Sequence, residues 1–219
     1  MSIRNLFGGL REKILGKNMK IVFPEGNDER VVRAAARLKF EGLLEPVILG
    51  QSEEVRNLLT KLGFADQDYT IINPNEYADF DKMKEAFVDI RKGKATLEDA
   101  DKMLRDVNYF GVMLVKMGLA DGMVSGAIHS TADTVRPALQ IIKTKPGISR
   151  TSGVFLMNRE NTSERYIFAD CAINIDPTAQ ELAEIAINTA ETAKIFDIDP
   201  KIAMLSFCLL YTSDAADER

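Results

Sequence analysis

The chain is poor in the residues that build metal centres, disulfide frameworks and nucleic-acid-binding surfaces. Its 219 residues include one histidine, His129, and two cysteines, Cys171 and Cys208, which form no CxxC pair. We therefore expect a reducing compartment and no metal site, because the acidic residues also follow no metal-ligand spacing. The net charge is −5, with acids and bases mixed along the chain, which argues against nucleic-acid binding.

Long hydrophobic segments are also missing. Residues 1–20 carry charges throughout and lack the apolar run of a signal peptide. No stretch approaches the roughly 18 apolar residues that a membrane span requires. The sequence thus predicts a soluble, cytoplasmic protein that makes no membrane contact.

Segments with two different hydrophobic periods alternate along the first two thirds of the chain. Short apolar runs predict strands, and apolar residues that recur every three or four positions predict helices. We place strands at Lys20–Phe23, Pro46–Leu49, Tyr69–Ile72 and Asp121–Ser125, and the main helices at Asp28–Phe40, Ser52–Leu62, Asp81–Arg91 and Asn108–Leu119, with Ser52 as a helix cap. This alternation is typical of an α/β fold with a doubly wound, mostly parallel sheet and helices on both faces.

The pattern changes in the last third of the chain. Ser152–Met157 and Tyr166–Ala169 read as strands separated by a polar loop, which predicts a hairpin that adds an antiparallel element to the sheet. A long helix is expected after Asp176, and Lys201–Phe207 predicts a last buried strand. We place a domain boundary near Pro146.

Residues 1–146 are accordingly expected to form an N-terminal α/β domain, and residues 147–207 the start of a second one. No internal repeat or low-complexity segment interrupts either region.

The segment Ser125–Pro137 is the richest in residues suited to bind a ligand. A predicted strand ends at a glycine, and a His-Ser-Thr run leads into a helix, so backbone N–H groups and hydroxyls can meet an anion there. This turn lies at the carboxyl end of a strand, where open α/β sheets bind their ligands. The candidate residues of this segment are Ser125, Gly126, His129, Ser130, Thr131 and Arg136.

Simpler interpretations of these residues stay open. Serine, threonine and aspartate at a helix start are commonly caps, and a single histidine is more often packed than catalytic. The turn Pro24–Asn27 also follows a strand and either faces the same cleft or is only a turn. Arg91 belongs to a short basic cluster at a helix end, where cations complement the helix dipole.

Several long motifs resemble those of the phosphate acetyltransferases. The run SGAIHSTADTVRPALQIIKTKPGISRTSGVFLM is similar to the signature segment of that family. KIVFPEGNDERVVRAA, NYFGVMLVKMGLADGMVSGA and KIAMLSF match the same family in the same order. The resemblance covers essentially residues 1–207.

The resemblance implies acetyl transfer between acetyl phosphate and coenzyme A, in a two-domain fold related to isocitrate and isopropylmalate dehydrogenases. Coenzyme A is then a substrate, no cofactor is bound, and the full-length protein is expected to be a homodimer. Arg136 and, through a looser alignment, Arg91 match arginines implicated in substrate binding. Ser125, Gly126, His129, Ser130 and Thr131 match the ligand-facing segment.

The end of the chain departs from the family pattern. In the family, the strand that matches KIAMLSF continues into a Ser-Thr-Lys-Gly-Ser-type loop, whereas CLLYTSDAADER follows here. We hypothesise that residues 208–219 are not native sequence. The family continues for roughly another hundred residues, which include the Ser-Arg and Asp residues proposed for catalysis. No residue of this chain is therefore assigned a catalytic role, and we expect the chain to have little or no activity.

Three alternative functions remain. A phosphate butyryltransferase shares the fold and the anion site, and only its acyl preference would differ. A non-catalytic acetyltransferase-like module would serve in binding or oligomerisation. A dehydrogenase of related fold is disfavoured because no GxGxxG motif follows a predicted strand.

Overall fold

The computed structural model describes residues 3–159, 162 and 164–205, and it divides the chain into two compact units. Residues 7–145 form the first unit, and the residues from Pro146 onward, together with those before Phe7, form the second. None of the helices in the described ranges is long and apolar enough to cross a membrane.

The first unit is built around a four-stranded parallel sheet. Its strands are β1 (Lys20–Phe23), β2 (Glu45–Leu49), β3 (Thr70–Ile72) and β4 (Gly122–Met123), and they lie in the order β3-β2-β1-β4. β1 pairs with β2 so that Val22 lies opposite Val47, and with β4 so that Val22 lies opposite Met123. The predicted parallel sheet is thus confirmed.

The helices of the first unit connect these strands. They are α1 (Ile3–Ile14, which begins before the unit), α2 (Glu29–Phe40), α3 (Ser52–Lys61), α4 (Phe80–Arg91), α5 (Leu97–Met103), α6 (Val107–Lys116) and α7 (Thr131–Ile141), and a 3₁₀ turn occupies Pro74–Glu76. The cap of α3 is Gln51, which makes no side-chain capping hydrogen bond. Our prediction of Ser52 as the cap is wrong, because Ser52 already lies within the helix.

Two apolar clusters cover the two faces of the sheet. Successive side chains of a strand point to opposite faces, so neighbours in β1 enter different cores. Val22 packs in a cluster with Phe87 and Phe110 of α4 and α6. Phe23 packs in the other cluster, with residues of α2 and α3 such as Val32 and Val55.

The second unit contains a hairpin and a long helix. β5 (Val154–Asn158) and β6 (Arg165–Ala169) pair in antiparallel fashion, and α8 spans Ala179–Ile195. The predicted hairpin is confirmed. It forms a two-stranded sheet of its own, however, so the prediction that it joins the main sheet is wrong for the described part of the chain.

The predicted last strand is not formed in its described part. Residues 201–205 have no strand conformation and are exposed, with Ile202 at 58% and Leu205 at 79% exposure. A strand requires a hydrogen-bonded neighbour, and neither β5 nor β6 pairs with this segment. The segment instead lines a cavity of about 480 Å³ with β6 and α8. Ser206, Phe207 and the tail 208–219 lie outside the described residues.

Candidate functional site

The turn after β1 and the turn after β4 meet at the carboxyl edge of the main sheet. The first turn is held by Gly26, whose N–H donates to the carbonyl oxygen of Leu49 at 3.0 Å. A Cβ atom on Gly26 would lie 2.2 Å from that same oxygen, so only glycine permits this approach. The neighbouring residue, Glu25, is thereby fixed beneath the second turn.

The carboxylate of Glu25 binds the backbone of residues 126–129. Oε1 accepts the N–H groups of Gly126 at 3.3 Å, Ile128 at 2.8 Å and His129 at 3.1 Å, and Oε2 accepts that of Ala127 at 3.0 Å. Glu25 is only 1% exposed. The N–H groups of residues 126–129 are therefore closed to a ligand, because a carboxylate of the chain itself already accepts them.

Electrostatics keeps this carboxylate charged. Burial alone would raise the pKa of Glu25, but hydrogen bonds from the N–H groups of Ile128, Ala127 and His129 and from the His129 ring lower it from 4.5 to about 2. The His129 ring lies with Nδ1 at 2.9 Å from Oε1 of Glu25. The loop after β4 is thus organised around a permanent negative charge.

A capping box begins α7. The Ser130 hydroxyl donates to the carboxylate of Asp133 at 2.6 Å, and it accepts the N–H of Asp133 at 3.2 Å. The interpretation of Ser130 as a cap is thereby confirmed. Thr131 is the first residue of the helix and is exposed. No hydrogen bond joins its hydroxyl to another residue in the described part of the chain.

Ser125 is held from below by α6. Its hydroxyl donates to Oδ1 of Asn108 at 2.6 Å, and Asn108 is fully buried. The Nδ2 atom of Asn108 is buried and has no hydrogen-bond partner within the described ranges. Because an unsatisfied buried donor is costly, Asn108 is a residue that ordinary packing does not explain.

The two predicted arginines lie near one phenol. Arg91 donates from Nη1 to the carbonyl oxygen of Gln140 at 3.3 Å, and the side chain of Gln140 accepts the Tyr109 hydroxyl at 3.0 Å. Burial raises the pKa of Tyr109, while the charges of Arg136 and Arg91 oppose that rise. Both guanidinium groups therefore act on the same space beside α6.

Arg136 is exposed and close to this cluster. It lies one helical turn before Gln140, so the two side chains share a face of α7. No hydrogen bond or salt bridge ties its guanidinium to another described residue. It lies six positions after Ser130, a rise of about 9 Å along the helix.

The structure brings the sequence-predicted residues together in two groups. Ser125, Gly126 and His129 gather around Glu25 and Asn108, and Arg91 and Arg136 gather around Tyr109. The sequence left open whether the turn Pro24–Asn27 faces the cleft or is only a turn, and it gave no role to Glu25. A glutamate between an apolar strand and a glycine, and an asparagine inside the apolar helix α6, were the available signals.

The positive charges at this edge of the sheet are mainly those of the two arginines. Two guanidinium groups and a helix N-terminus present positive potential on one side of the sheet edge. Across the described residues, no group of three or more His, Cys, Asp or Glu side chains could hold a metal ion. Together, the parallel α/β sheet and the cations at its carboxyl edge are suited to an anionic ligand.

A family model matches most of the chain. The model described as phosphate acetyl/butaryl transferase matches residues 6–218, and the chain belongs to this family. The match extends over most of residues 208–219, so it gives no support to our hypothesis that this tail is foreign.

Individual relatives agree with the family. The chain is 55% identical over 203 residues to the phosphate acetyltransferase of Bacillus subtilis and 53% identical to that of Staphylococcus aureus, with 93% of this chain aligned in each case. A phosphotransacetylase crystal structure from Streptococcus pyogenes is 97% identical, with a TM-score of 0.92 over 94% of this chain. The EutD phosphotransacetylase of Staphylococcus aureus is 51% identical, with a TM-score of 0.86 over 94% of this chain.

The chain is shorter than these relatives. It covers 62% of the Bacillus subtilis protein, 61% of the Staphylococcus aureus protein, 63% of the Streptococcus pyogenes chain and 62% of the EutD chain.

Proposed function

We propose that this chain is part of an enzyme that transfers an acetyl group between acetyl phosphate and coenzyme A. The observation that carries the proposal is the 97% identity to a phosphotransacetylase, together with matching fold over 94% of the chain. In this reaction the thiol sulfur of coenzyme A bonds to the acetyl carbon, and the bond from that carbon to the phosphate oxygen breaks. Phosphate leaves, and the thiol proton passes to a base.

Arg136 and Arg91 are proposed to bind the phosphate groups of the substrates. Arg136 is exposed, and its charge acts on Asp133 and on Tyr109. Arg91 is half-buried and oriented by Gln140, so its position is more fixed. Such preorganised cations favour the charge on a departing phosphate without rearranging during the reaction.

The loop Ser125–Thr131 is proposed to form the adjoining wall of the site. The Thr131 hydroxyl and the His129 ring are its side-chain contacts for the ligand. Gly126 and Ser125 contribute through the shape of the turn, since the N–H of one and the hydroxyl of the other are already bound within the chain. Ser130 contributes by starting the helix.

The wider properties of the protein follow the family. We propose a fold related to isocitrate and isopropylmalate dehydrogenases, a homodimer for the full-length protein, and a cytoplasmic location. Coenzyme A, acetyl phosphate and phosphate are its small-molecule partners, and no bound cofactor is required. The parallel α/β sheet supports the proposed fold, and the other proposals are supported by membership of the family.

Ligand binding tests the assignment directly. We expect the 219-residue chain to bind coenzyme A and acetyl phosphate in calorimetry, and Arg136→Ala and Arg91→Ala to weaken that binding by roughly tenfold each, since a hydrogen bond to a charged group contributes about 1.5 kcal/mol or more. Arg56→Ala is the matched control, because Arg56 is exposed on α3, which packs on the opposite face of the sheet.

Turnover and acyl preference complete the test. The same substitutions, placed in the longer Streptococcus pyogenes relative, should lower the rate of acetyl-CoA formation, and the control should not. Binding of neither substrate, or equal effects of all three substitutions, would overturn the proposed function. Because the family includes butyryl transferases, faster turnover of butyryl phosphate than acetyl phosphate would reassign the acyl group.

A further inference from the structure

Among the residues that the structure describes, Glu25 is the most deeply buried acidic residue, and the proposed reaction does not use it. It follows β1, and the hydrogen bonds that its side chain accepts in the described part of the chain all come from residues about a hundred positions later, between Gly126 and His129. Its side chain is 1% exposed, whereas that of His129 is 24% exposed. The pair therefore has one end in the protein interior and the other at the surface of the site.

The hydrogen bond between the two side chains determines the state of the ring. A charged carboxylate can only accept, so Nδ1 of His129 must carry the hydrogen of the 2.9 Å contact with Oε1. The backbone N–H of His129 donates to the same oxygen. Oε1 of Glu25 thus holds both the ring and the backbone N–H of His129. The other ring nitrogen, Nε2, is left for a ligand.

Other charged groups lie around the ring. Asp133, at the start of α7, experiences the charge of His129. Arg30 of α2 donates to the carbonyl oxygen of Ala127 at 3.2 Å and is paired with Asp28. These contacts fix the outer side of the loop, but only Glu25 bonds to the imidazole in the described part of the chain.

We propose that Glu25 is a positioning residue that holds His129 so that Nε2 faces the phosphate group of the bound substrate. This inference rests on the proposed function for the identity of the ligand. With Nδ1–H donated to Glu25, Nε2 is the ring nitrogen left to form a hydrogen bond with the phosphate group, for instance as the acceptor of a phosphate hydroxyl.

The presence of a single histidine makes the state of the ring measurable. In ¹⁵N-labelled chain, the ring nitrogens of His129 give the only imidazole signals. We expect Nδ1 to carry a hydrogen in the free chain, and the Nε2 signal to shift when inorganic phosphate or acetyl phosphate is bound. Glu25→Gln replaces the charged acceptor by a neutral amide oxygen, so it should weaken the Nδ1–H bond, shift the Nδ1 signal and weaken acetyl phosphate binding by roughly tenfold.

Two further variants separate positioning from general stability. Asp170→Asn changes another carboxylate that accepts several backbone N–H groups, but in the second unit. It should leave the His129 signals and phosphate binding unchanged. If Glu25 acts through His129, Glu25→Gln combined with His129→Ala should bind acetyl phosphate no more weakly than His129→Ala alone.

The outcomes discriminate between the two proposals. A bare Nδ1 in the free chain, an unchanged ring spectrum in Glu25→Gln, or additive losses in the double variant would each overturn the role of Glu25. Failure of the unaltered chain to bind any phosphate compound would overturn the proposed function and the ligand of Nε2. The ring spectrum would still decide whether Glu25 positions the histidine.

Discussion

Each of the two units contains a carboxylate that follows a strand and accepts several backbone N–H groups, but the surroundings of the two carboxylates differ. In the first unit, Glu25 follows β1 and accepts N–H groups from residues 126–129. In the second unit, Asp170 follows β6 and accepts the N–H groups of Gly153, Ala172, Ile173 and Asn174. Burial alone would raise the pKa of each carboxyl, but these hydrogen bonds lower both.

The surroundings decide what each carboxylate can influence. Glu25 is buried, and the strand before it is covered on both faces by apolar clusters. Asp170 is half-buried and follows a hairpin whose large apolar side chains are exposed, such as Phe155 at 58% and Phe168 at 48%. Water can replace a lost bond around Asp170 far more easily than around Glu25. The two carboxylates accept a similar number of backbone hydrogen bonds. Burial therefore decides how much stability is lost when those bonds are removed.

The largest difference between the two units is expected when each carboxylate is removed. We expect Glu25→Ala to destabilise the first unit by about 4 kcal/mol, because it leaves buried donors unpaired and opens a cavity. Asp170→Ala should cost the second unit only about 1.5 kcal/mol, since water reaches its partners. Urea unfolding followed by circular dichroism, with amide hydrogen exchange at Ile128 and Ile173, measures both. Equal losses at the two sites would contradict the role assigned to burial.

Acid titration sharpens the comparison. The folded-state pKa of Glu25 is lowered from 4.5 to about 2, so its stabilising effect is complete above pH 4.5 and is lost as the pH falls toward 2. The loss should reach about 3 kcal/mol in the first unit. Glu25→Gln should flatten the pH dependence across this window.

Asp170 provides the internal control for the acid titration. Its pKa is also lowered from its ordinary value of 3.8, so its contribution has the same sign and is lost at the acid end of the range. In the Asp170→Asn variant, the amide hydrogen exchange of Ile128 should depend on pH between 4.5 and 2 as it does in the unaltered chain. A flattened profile at Ile128 in that variant would show that the two carboxylates do not act separately.

The sequence predicts the main sheet well because local and tertiary signals agree there. Strands such as β2 are continuous apolar runs, which is the pattern of a strand buried on both faces. The same signal misleads in residues 201–205, where KIAML is as apolar as β2 but pairs with neither strand of the hairpin. An apolar run specifies a preference for burial, and only its neighbours decide whether a ladder forms.

The site was predictable in its outline but not in its interior. The position after β4, the cap Ser130 and the exposed Arg136 follow from local sequence patterns. The acceptor of the N–H groups of residues 126–129 does not follow from such patterns. Glu25 lies about a hundred residues earlier in the chain and reaches these groups only because β1 pairs with β4. Contacts of this separation have no periodic signature in a single sequence.

Helix caps provide the smallest and most specific comparison between the units. Ser130 with Asp133 begins α7, and Thr178 with Glu181 begins α8, each as a complete capping box. Ser130→Ala and Thr178→Ala should each cost about 1 kcal/mol in urea unfolding, because the same orphan N–H group loses its acceptor. Only Ser130→Ala should also weaken acetyl phosphate binding, since α7 alone carries Thr131 and Arg136. Equal stability losses with unequal binding would show that these residues serve the ligand through the position of α7, whereas weakened binding in both variants would mean that the second unit also contributes to it.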